Sequence, residues 1–339
     1  MQVKTLAIDL GKSVFQLHGV DAHHRTVLQR QVRRAKLLAT VLRLAPARVI
    51  MEACGSAHYW ARLLRTQGID VHLIAPQHVK PYVMGNKNDY RDAEAIFETS
   101  LRPRVPRVAI KTVDQQAIQA LHRLRESQIK ARTALVNQLH GLLAEFGYVY
   151  PTGHEALRRT IRDELDQPNS EIPVLLQPLL HQQLELWQLY DSQIDHYEQL
   201  LKRWVSQYPD ARRLTALPGV AHIIASAIVM HMGDPFNYQG GRHYSAALGI
   251  IPRQHSTGGK TVLLGISKRG DSYVRKMLIH GARAWLRVAP NHDDALSRWV
   301  CEVAARRGKN RAAVALANKL ARIAWAMLAH GTEYQVRAA

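Results

Sequence analysis

The chain has 339 residues, with 46 Lys and Arg against 27 Asp and Glu, a formal net charge of +19 and a pI near 10.2. Such an excess attracts a polyanion, so nucleic acid is the first partner to consider; an anionic membrane is a distant second, because the sequence shows no apolar run expected to span one and no helix with charge opposite an aromatic face. Two cysteines, Cys54 and Cys301, exclude a disulfide scaffold or a zinc ribbon and fit reduced thiols in a cytoplasmic protein. The length supports two cores and a connector.

The start "MQVKTLAIDLGKSV" carries an acid inside its apolar run and lacks a small-residue cleavage site, so it reads as a strand and not a signal peptide. Residues 3 to 10, "SVFQLHGVD" and "RTVLQRQV" form an expected three-stranded antiparallel beginning. "RAKLLATVLRLA" is helical, "ARVIMEA" a short buried strand, "SAHYWARLLRTQG" helical with a glycine stop, and "IDVHLIAP" a strand. A helix follows at "NDYRDAEAIFETSL", with Asn88 as its cap and Pro103 beyond its end. Strands followed by αβ alternation predict a mixed sheet flanked by helices.

From Val113 to about Phe146, and from Pro173 to about Tyr208, apolar residues recur three and four apart, predicting two long helices. An intramolecular hairpin and an intermolecular coiled coil both satisfy that pattern, and both make the segment a spacer. The joining stretch "YPTGHEALRRTIRDELDQPNSEIP" reads as polar and turn-rich. After Tyr208 a basic, mostly helical region runs to about residue 330, and the tail is expected to fray. The expected division is 1–110, 111–208, 209–332 and a tail at 333–339: α/β first, then mostly α.

Two clusters carry chemistry. Asp9 ends the first strand on the face opposite Leu6, Ile8 and Leu10, and Glu52 ends the fourth with Val49 and Met51 on its other side. Asp89 and Asp92, three apart, share a helical face. Four converging carboxylates need cations, and Mg²⁺ suits an all-oxygen pocket that handles phosphate. The plainer alternative puts Asp9 in a turn, pairs Glu52 with an arginine and leaves "DYRD" as a solvated helix start. The second cluster is "HSTGGK". Gly258 and Gly259 let the backbone approach a phosphate, Lys260, Lys268 and Arg269 can neutralise it, and a nearby hydroxyl could attack. An ordinary polar loop is the competing account.

"AIDLGK", "MEACGS" and "NKNDYRDAEAI" resemble the DEDD-type transposases of bacterial insertion sequences, whose first domain is RuvC-like, of the RNase H type. "LTALPGVAHIIASAIVMHMGDPFNY", "SAALGIIPRQHSTGGK" and "GISKRGDSYVRKMLIHGARA" resemble their second, transposase domain. The likeness covers nearly the whole chain and is to the bridge-RNA-guided serine recombinases. It implies DNA strand exchange through a covalent phosphoserine, Mg²⁺ at Asp9, Glu52, Asp89 and Asp92, and a non-coding guide RNA. The family's nucleophile matches Ser256, although a strict serine-before-glycine alignment selects Thr257. Under this reading the two clusters are halves of one site.

"LPGVAHIIASAIV" resembles a helix-hairpin-helix in which Gly219 and the next helix start offer N–H groups to phosphate; Ala221 stands where a second glycine is usual, and a plain helical turn is the alternative. Arg275, Lys276, Arg283, Arg306, Arg307, Lys309, Arg311, Lys319 and Arg322 spread positive charge over expected helices. Phosphate contacts fix register without reading bases, a gap that guide pairing would fill. Tyr82, Tyr148, Tyr150, Trp187, Trp204, Tyr238 and Tyr244 could stack on bases, with packing the commoner role. The leading expectation is therefore a transposase acting on donor and target double-stranded DNA as a dimer that assembles into a tetramer, in the bacterial cytoplasm and at the nucleoid during reaction. Alternatives are a Holliday-junction-resolvase-like endonuclease that uses water, and a non-catalytic RNA- or DNA-binding protein with a relic nuclease fold.

Overall fold

The computed structural model describes residues 2–83, 89–149, 153–167 and 172–336, with only the backbone at Asp89 and His154. The chain forms two compact units, one of residues 1–115 with 232–237 and one of residues 116–231 with 238–339. The expected cap Asn88, and Tyr150, lie outside the described residues.

In the first unit β1 (Thr5–Leu10), β2 (Val14–Val20) and β3 (Thr26–Arg33) form an antiparallel meander. A 3-10 turn leads into α1 (Leu37–Leu44), after which β4 (Arg48–Glu52) lies parallel to β1. Helix α2 (Ala57–Thr66) returns the chain to β5 (Asp70–Ile74), parallel to β4. Then come α3 (Pro76–Val79), α4 (Asp89–Ser100) and β6 (Arg107–Val108), antiparallel to β5. The sheet order is β3-β2-β1-β4-β5-β6, a mixed sheet with helices, compatible with an RNase H-like domain. Strand β6 has no counterpart in the sequence reading; two residues are too few to show a period.

Both sheet faces are covered, which is why the central strands are apolar nearly throughout. One face packs Leu6, Ile8, Phe15, Leu17, Val49 and Met51 in a core shared with Trp60 and Leu64 of α2. The other packs Ala7, Val20, Ile50 and Ile74 with Ala95, Ile96 and Phe97 of α4. At about 1.5–3 kcal/mol for each fully buried large side chain, these two layers fix the register that places the acids.

The second unit contains most of α5 (Val113–Ala144), then α6 (His154–Leu165) and α7 (Gln177–Gln207). Arg125 pairs with Glu198 and Arg132 with Asp191 at 2.7 Å, so residue numbers rise along α5 as they fall along α7. The two long helices therefore pair within one chain, antiparallel. Helix α6 corrects the expectation of a turn-rich joint: Leu157 and Ile161, one turn apart, are fully buried with Leu139, Leu143, Leu184 and Trp187.

Next come α8 (Pro209–Leu214), α9 (His222–Met232), α10 (Gly241–Ala247), the antiparallel hairpin β7 (Pro252–Thr257) and β8 (Lys260–Ile266), α11 (Ser272–Val288), α12 (Ala295–Arg307) and α13 (Lys309–His330). Asp271 caps α11 by accepting from Val274 N at 2.9 Å, and Asp294 caps α12 by accepting from Leu296 and Ser297 N. Helix α13 corrects another expectation, since by length and composition it could cross a membrane. Its Ala312, Leu316, Leu320, Ala324 and Met327 are instead buried in the unit's core, because an alanine-rich stripe lets α10, α11 and α12 approach closely. Just before the last residues Glu333 pairs with Arg213 at 3.2 Å and Tyr334 is half-buried, while Gln335 and Val336 are exposed and outside any helix or strand.

Candidate active site and nucleic-acid interface

The acids sit where the sheet delivers them. Ile8 and Met51 are register partners in the parallel pair, so Asp9 and Glu52, one residue on, emerge side by side on the face covered by α4. Beyond Glu52 the strand cannot continue: Ala53 N makes a last bond to Ile74 O at 2.7 Å, and Cys54 N turns back onto Glu52 O at 2.8 Å. Asp92, partly buried, lies one turn before the buried Ala95 and Ile96, on the helix face turned to the sheet. The backbone of Asp89 begins the same helix, three residues ahead of Asp92; its side chain lies outside the described residues.

Electrostatics link the three described carboxylates. Burial, then the negative charge of Asp9 and then that of Asp92, push the Glu52 carboxyl above its ordinary value. The thiol of Cys54 is pushed up to about 11 by burial and then by Glu52 and Asp9, so it stays protonated beside the acids. Among the described residues no three His, Cys, Asp or Glu side chains close into a metal-holding group. In donor chemistry the set suits a hard divalent cation: oxygen ligands whose mutual repulsion a cation would relieve. A polar neighbour that sequence reasoning passed over is Gln16, directly opposite Asp9 across the β1–β2 pair, 5% exposed, with a side-chain oxygen that has no hydrogen-bond partner.

The second cluster is a hairpin, not a loop. Thr257 pairs with Lys260, leaving Gly258 and Gly259 as a two-residue turn with φ of 55° and 77°, both in the left-handed region that a tight hairpin turn requires. Every residue from Pro252 to Gly265 is exposed, on both faces of the ribbon. The Ser256 hydroxyl accepts from Gln254 Nε2 at 2.7 Å and lies 3.4 Å from Thr261 Oγ1; Thr257 Oγ1 is 3.5 Å from His255 Nδ1. Lys260 stands at the turn, and Lys268 and Arg269 are exposed just after β8, with Lys268 at φ 56°.

Other residues expected at phosphate have partners within the protein. Arg275 donates to Leu248 O at 2.9 Å, and Lys276 pairs with Glu126 at 2.5 Å. Gly219 lies in the turn between α8 and α9, where a Cβ would come 2.4 Å from the Gly281 carbonyl oxygen; its glycine is needed for close packing on α11. That turn opens on a cleft of about 570 Å³. Arg242, Lys319, Arg322 and Trp325 line a larger cleft of about 820 Å³, and the Lys319 ammonium lies 4.1 Å from the Trp299 ring centre. Of the aromatic residues considered for base stacking, Trp187 and Tyr244 are buried and Trp204 stacks on Tyr208.

Models of known families match the two stretches that contain the clusters. Residues 6–147 match a DEDD-type model described as a transposase, and residues 211–297 match one described as "Transposase IS116/IS110/IS902 family". The chain is similar to a "Probable family 20 transposase" of Pseudomonas aeruginosa, 45% identical over 99% of each chain. It is 42% identical to the transposase for insertion sequence element IS1111A of Coxiella burnetii, over 98% of this chain and 92% of that one. With the transposase for insertion sequence element IS1328 of Yersinia enterocolitica it shares 39% identity over 98% of each.

Proposed function

Since the chain belongs to the IS116/IS110/IS902 family of DEDD transposases, we propose that it moves its insertion sequence as an RNA-guided serine recombinase, with Ser256 as nucleophile and Asp9, Glu52, Asp89 and Asp92 as the Mg²⁺-binding acids. A transposase acts on DNA, and the +19 charge suits two duplexes and an RNA. The observation that carries the reading is the ribbon: a hydroxyl on an exposed two-stranded hairpin, beside a Gly-Gly turn and Lys260, is free to meet a backbone phosphate.

In this reading the Ser256 oxygen attacks the phosphorus and loses its proton to water. A P–Oγ bond forms, one bridging P–O bond to sugar breaks, and the sugar oxygen leaves as a hydroxyl. Attack by a sugar hydroxyl of the other duplex then reforms a phosphodiester and frees the serine, so no external energy source is needed. When bound, Mg²⁺ supplies positive charge for the phosphate oxygens. Asp9 and Glu52 hold their oxygens at the sheet end, Gly258 and Gly259 allow backbone approach, and Lys260, Lys268 and Arg269 offset phosphate charge. Thr257 is the alternative nucleophile, one residue nearer the turn. Gly219, Arg275 and Lys276 contribute through the packing of the transposase region. Sequence choice falls to a guide RNA, and pairing of two sites to a dimer that forms a tetramer, in the cytoplasm at the nucleoid.

The test is to sequence RNA that co-purifies with the full chain, then incubate the complex with matching duplexes and Mg²⁺ and resolve products on denaturing gels. A protein–DNA adduct mapping to residue 256 and absent from Ser256→Ala supports the reading. Free DNA ends without adduct would replace it with water-driven, resolvase-like cleavage, and binding without any cleavage would replace it with a non-catalytic role.

A further inference from the structure

Strand β2 carries two polar side chains, Gln16 and His18, onto the sheet face that α4 covers and that also bears Asp9 and Glu52. They point to the same face as Val20, which packs with Ala7, Ile50, Ile74 and the α4 residues Ile96 and Phe97. Both are almost wholly enclosed, at 5% and 2% exposure, and each has one atom without a partner, Oε1 of Gln16 and Nδ1 of His18. A buried amide oxygen with no donor is unfavourable, and in a purely structural role an apolar side chain of similar size would fit the layer better.

The register separates the two residues. His18 lies opposite Ala7, its ring centre 5.8 Å from that of Phe97. Gln16 lies opposite Asp9, and directly opposed side chains on an antiparallel pair have Cβ atoms roughly 4.5–5.5 Å apart. A side chain whose amide oxygen has no partner within the protein thus stands opposite Asp9, on the face that also bears Glu52. Amide oxygens are hard donors that join carboxylates around divalent cations.

We propose that Gln16 is a positioning residue of the acidic site, whose buried side-chain oxygen completes the oxygen environment of the divalent ion held through Asp9 and Glu52. The inference rests on the metal reading given above. It explains why a buried polar atom on the side chain opposite Asp9 has no partner within the protein: its partner is the ion or a water the ion carries. Positions of this kind, one step removed from the charged ligands, change metal affinity by about 10–100-fold when altered.

The experiment titrates Mn²⁺, followed by electron paramagnetic resonance, into full-length wild type, Gln16→Leu, Gln16→Glu and Asp9→Asn, and records the metal-free Tm of each. Gln16→Leu is expected to weaken Mn²⁺ binding by about 10-fold or more while leaving the metal-free Tm unchanged or higher, since an unpaired buried oxygen is gone. Gln16→Glu, which keeps an oxygen in place, retains wild-type affinity or exceeds it. Wild-type affinity in Gln16→Leu, with binding lost in Asp9→Asn, overturns the inference and leaves the metal reading standing. A lowered metal-free Tm in Gln16→Leu also overturns it, by showing that the amide supports the core. Equal Mn²⁺ binding by wild type and Asp9→Asn removes the metal reading and this inference together.

Discussion

The acids and the hydroxyl are presented by opposite kinds of structure. Asp9 and Glu52 stand at the ends of paired central strands with both sheet faces covered, so their spacing is set by a core. Ser256 stands on a two-stranded ribbon exposed on both faces, and two strands alone are marginal in water. The first arrangement is prebuilt, at the cost of like charges held together. The second spends little core stability on placement and leaves it to whatever the ribbon meets.

The sharpest way to break that contrast is a pair of substitutions. Ser256→Ala removes an exposed hydroxyl, so its Tm and Mn²⁺ affinity should match wild type while strand exchange falls by about 10⁴-fold or more, the scale of losing a nucleophile. Asp9→Asn should abolish exchange to a similar degree but also lose Mn²⁺ and raise the metal-free Tm, because it relieves repulsion with Glu52. If Ser256→Ala lowered Tm by several degrees, the ribbon would be part of a core and the contrast would fail.

A second test asks whether the long-helix arm is a core or a loose spacer. Trp187 is 1% exposed at its tip, among Leu139, Leu143, Leu157 and Ile161. Trp187→Ala should cost about 3–5 kcal/mol by denaturant unfolding, as large-to-small core substitutions do. A loss under about 1 kcal/mol would mean that the tip holds together only through a partner molecule.

The sheet was legible because its strands are apolar, short and separated by clear turns, and the acids were legible because a period of two puts Asp9 and Glu52 opposite their apolar neighbours. Gln16 was not: a glutamine inside "VFQLHGV" reads as a solvent-facing residue, and only α4 lying over that face buries it. Helix α6 was hidden by flanking proline, glycine and charge, although Leu157 and Ile161 mark one face. The hairpin was hidden for a physical reason: a ribbon exposed on both sides has no hydrophobic alternation to betray it. Membership of the DEDD transposase family was legible from motifs.

A third test uses pH. His122 of α5 is 1% exposed, with Nδ1 2.9 Å from Tyr273 Oη and Nε2 3.1 Å from Ser226 Oγ, tying α5 to α11 and α9 within the second unit. Burial, then the nearby Arg125, lower its pKa from 6.5 to about 4. Between those values the unfolded chain takes up the proton and the folded protein does not, so this stability is fully present above pH 6.5 and is lost as pH falls toward about 4. The loss is on the order of 3 kcal/mol. Urea unfolding at pH 7 and pH 4.5 should show wild type losing more stability than His122→Phe on acidification; equal losses would mean that the ring protonates in place.

The smallest effect belongs to the tail. Glu333 is 71% exposed in its pair with Arg213, which is 20% exposed, and such surface pairs contribute about 0–1 kcal/mol, less at high salt. Glu333→Gln should therefore leave unfolding within that range while removing one of the two acids paired with Arg213. Arg213 also bonds Asp210 at 2.8 Å, so it stays oriented when Glu333 is neutral and can serve as a phosphate contact. One more phosphate contact steepens the dependence of log K on log salt by roughly 0.9 for duplex DNA. A fluorescence titration of duplex binding across salt concentrations should show that steeper slope in Glu333→Gln and its absence in the Arg213→Gln, Glu333→Gln double variant. An unchanged slope would mean that the ribbon and sheet ends, and not the α8 surface, carry the electrostatic contact with DNA.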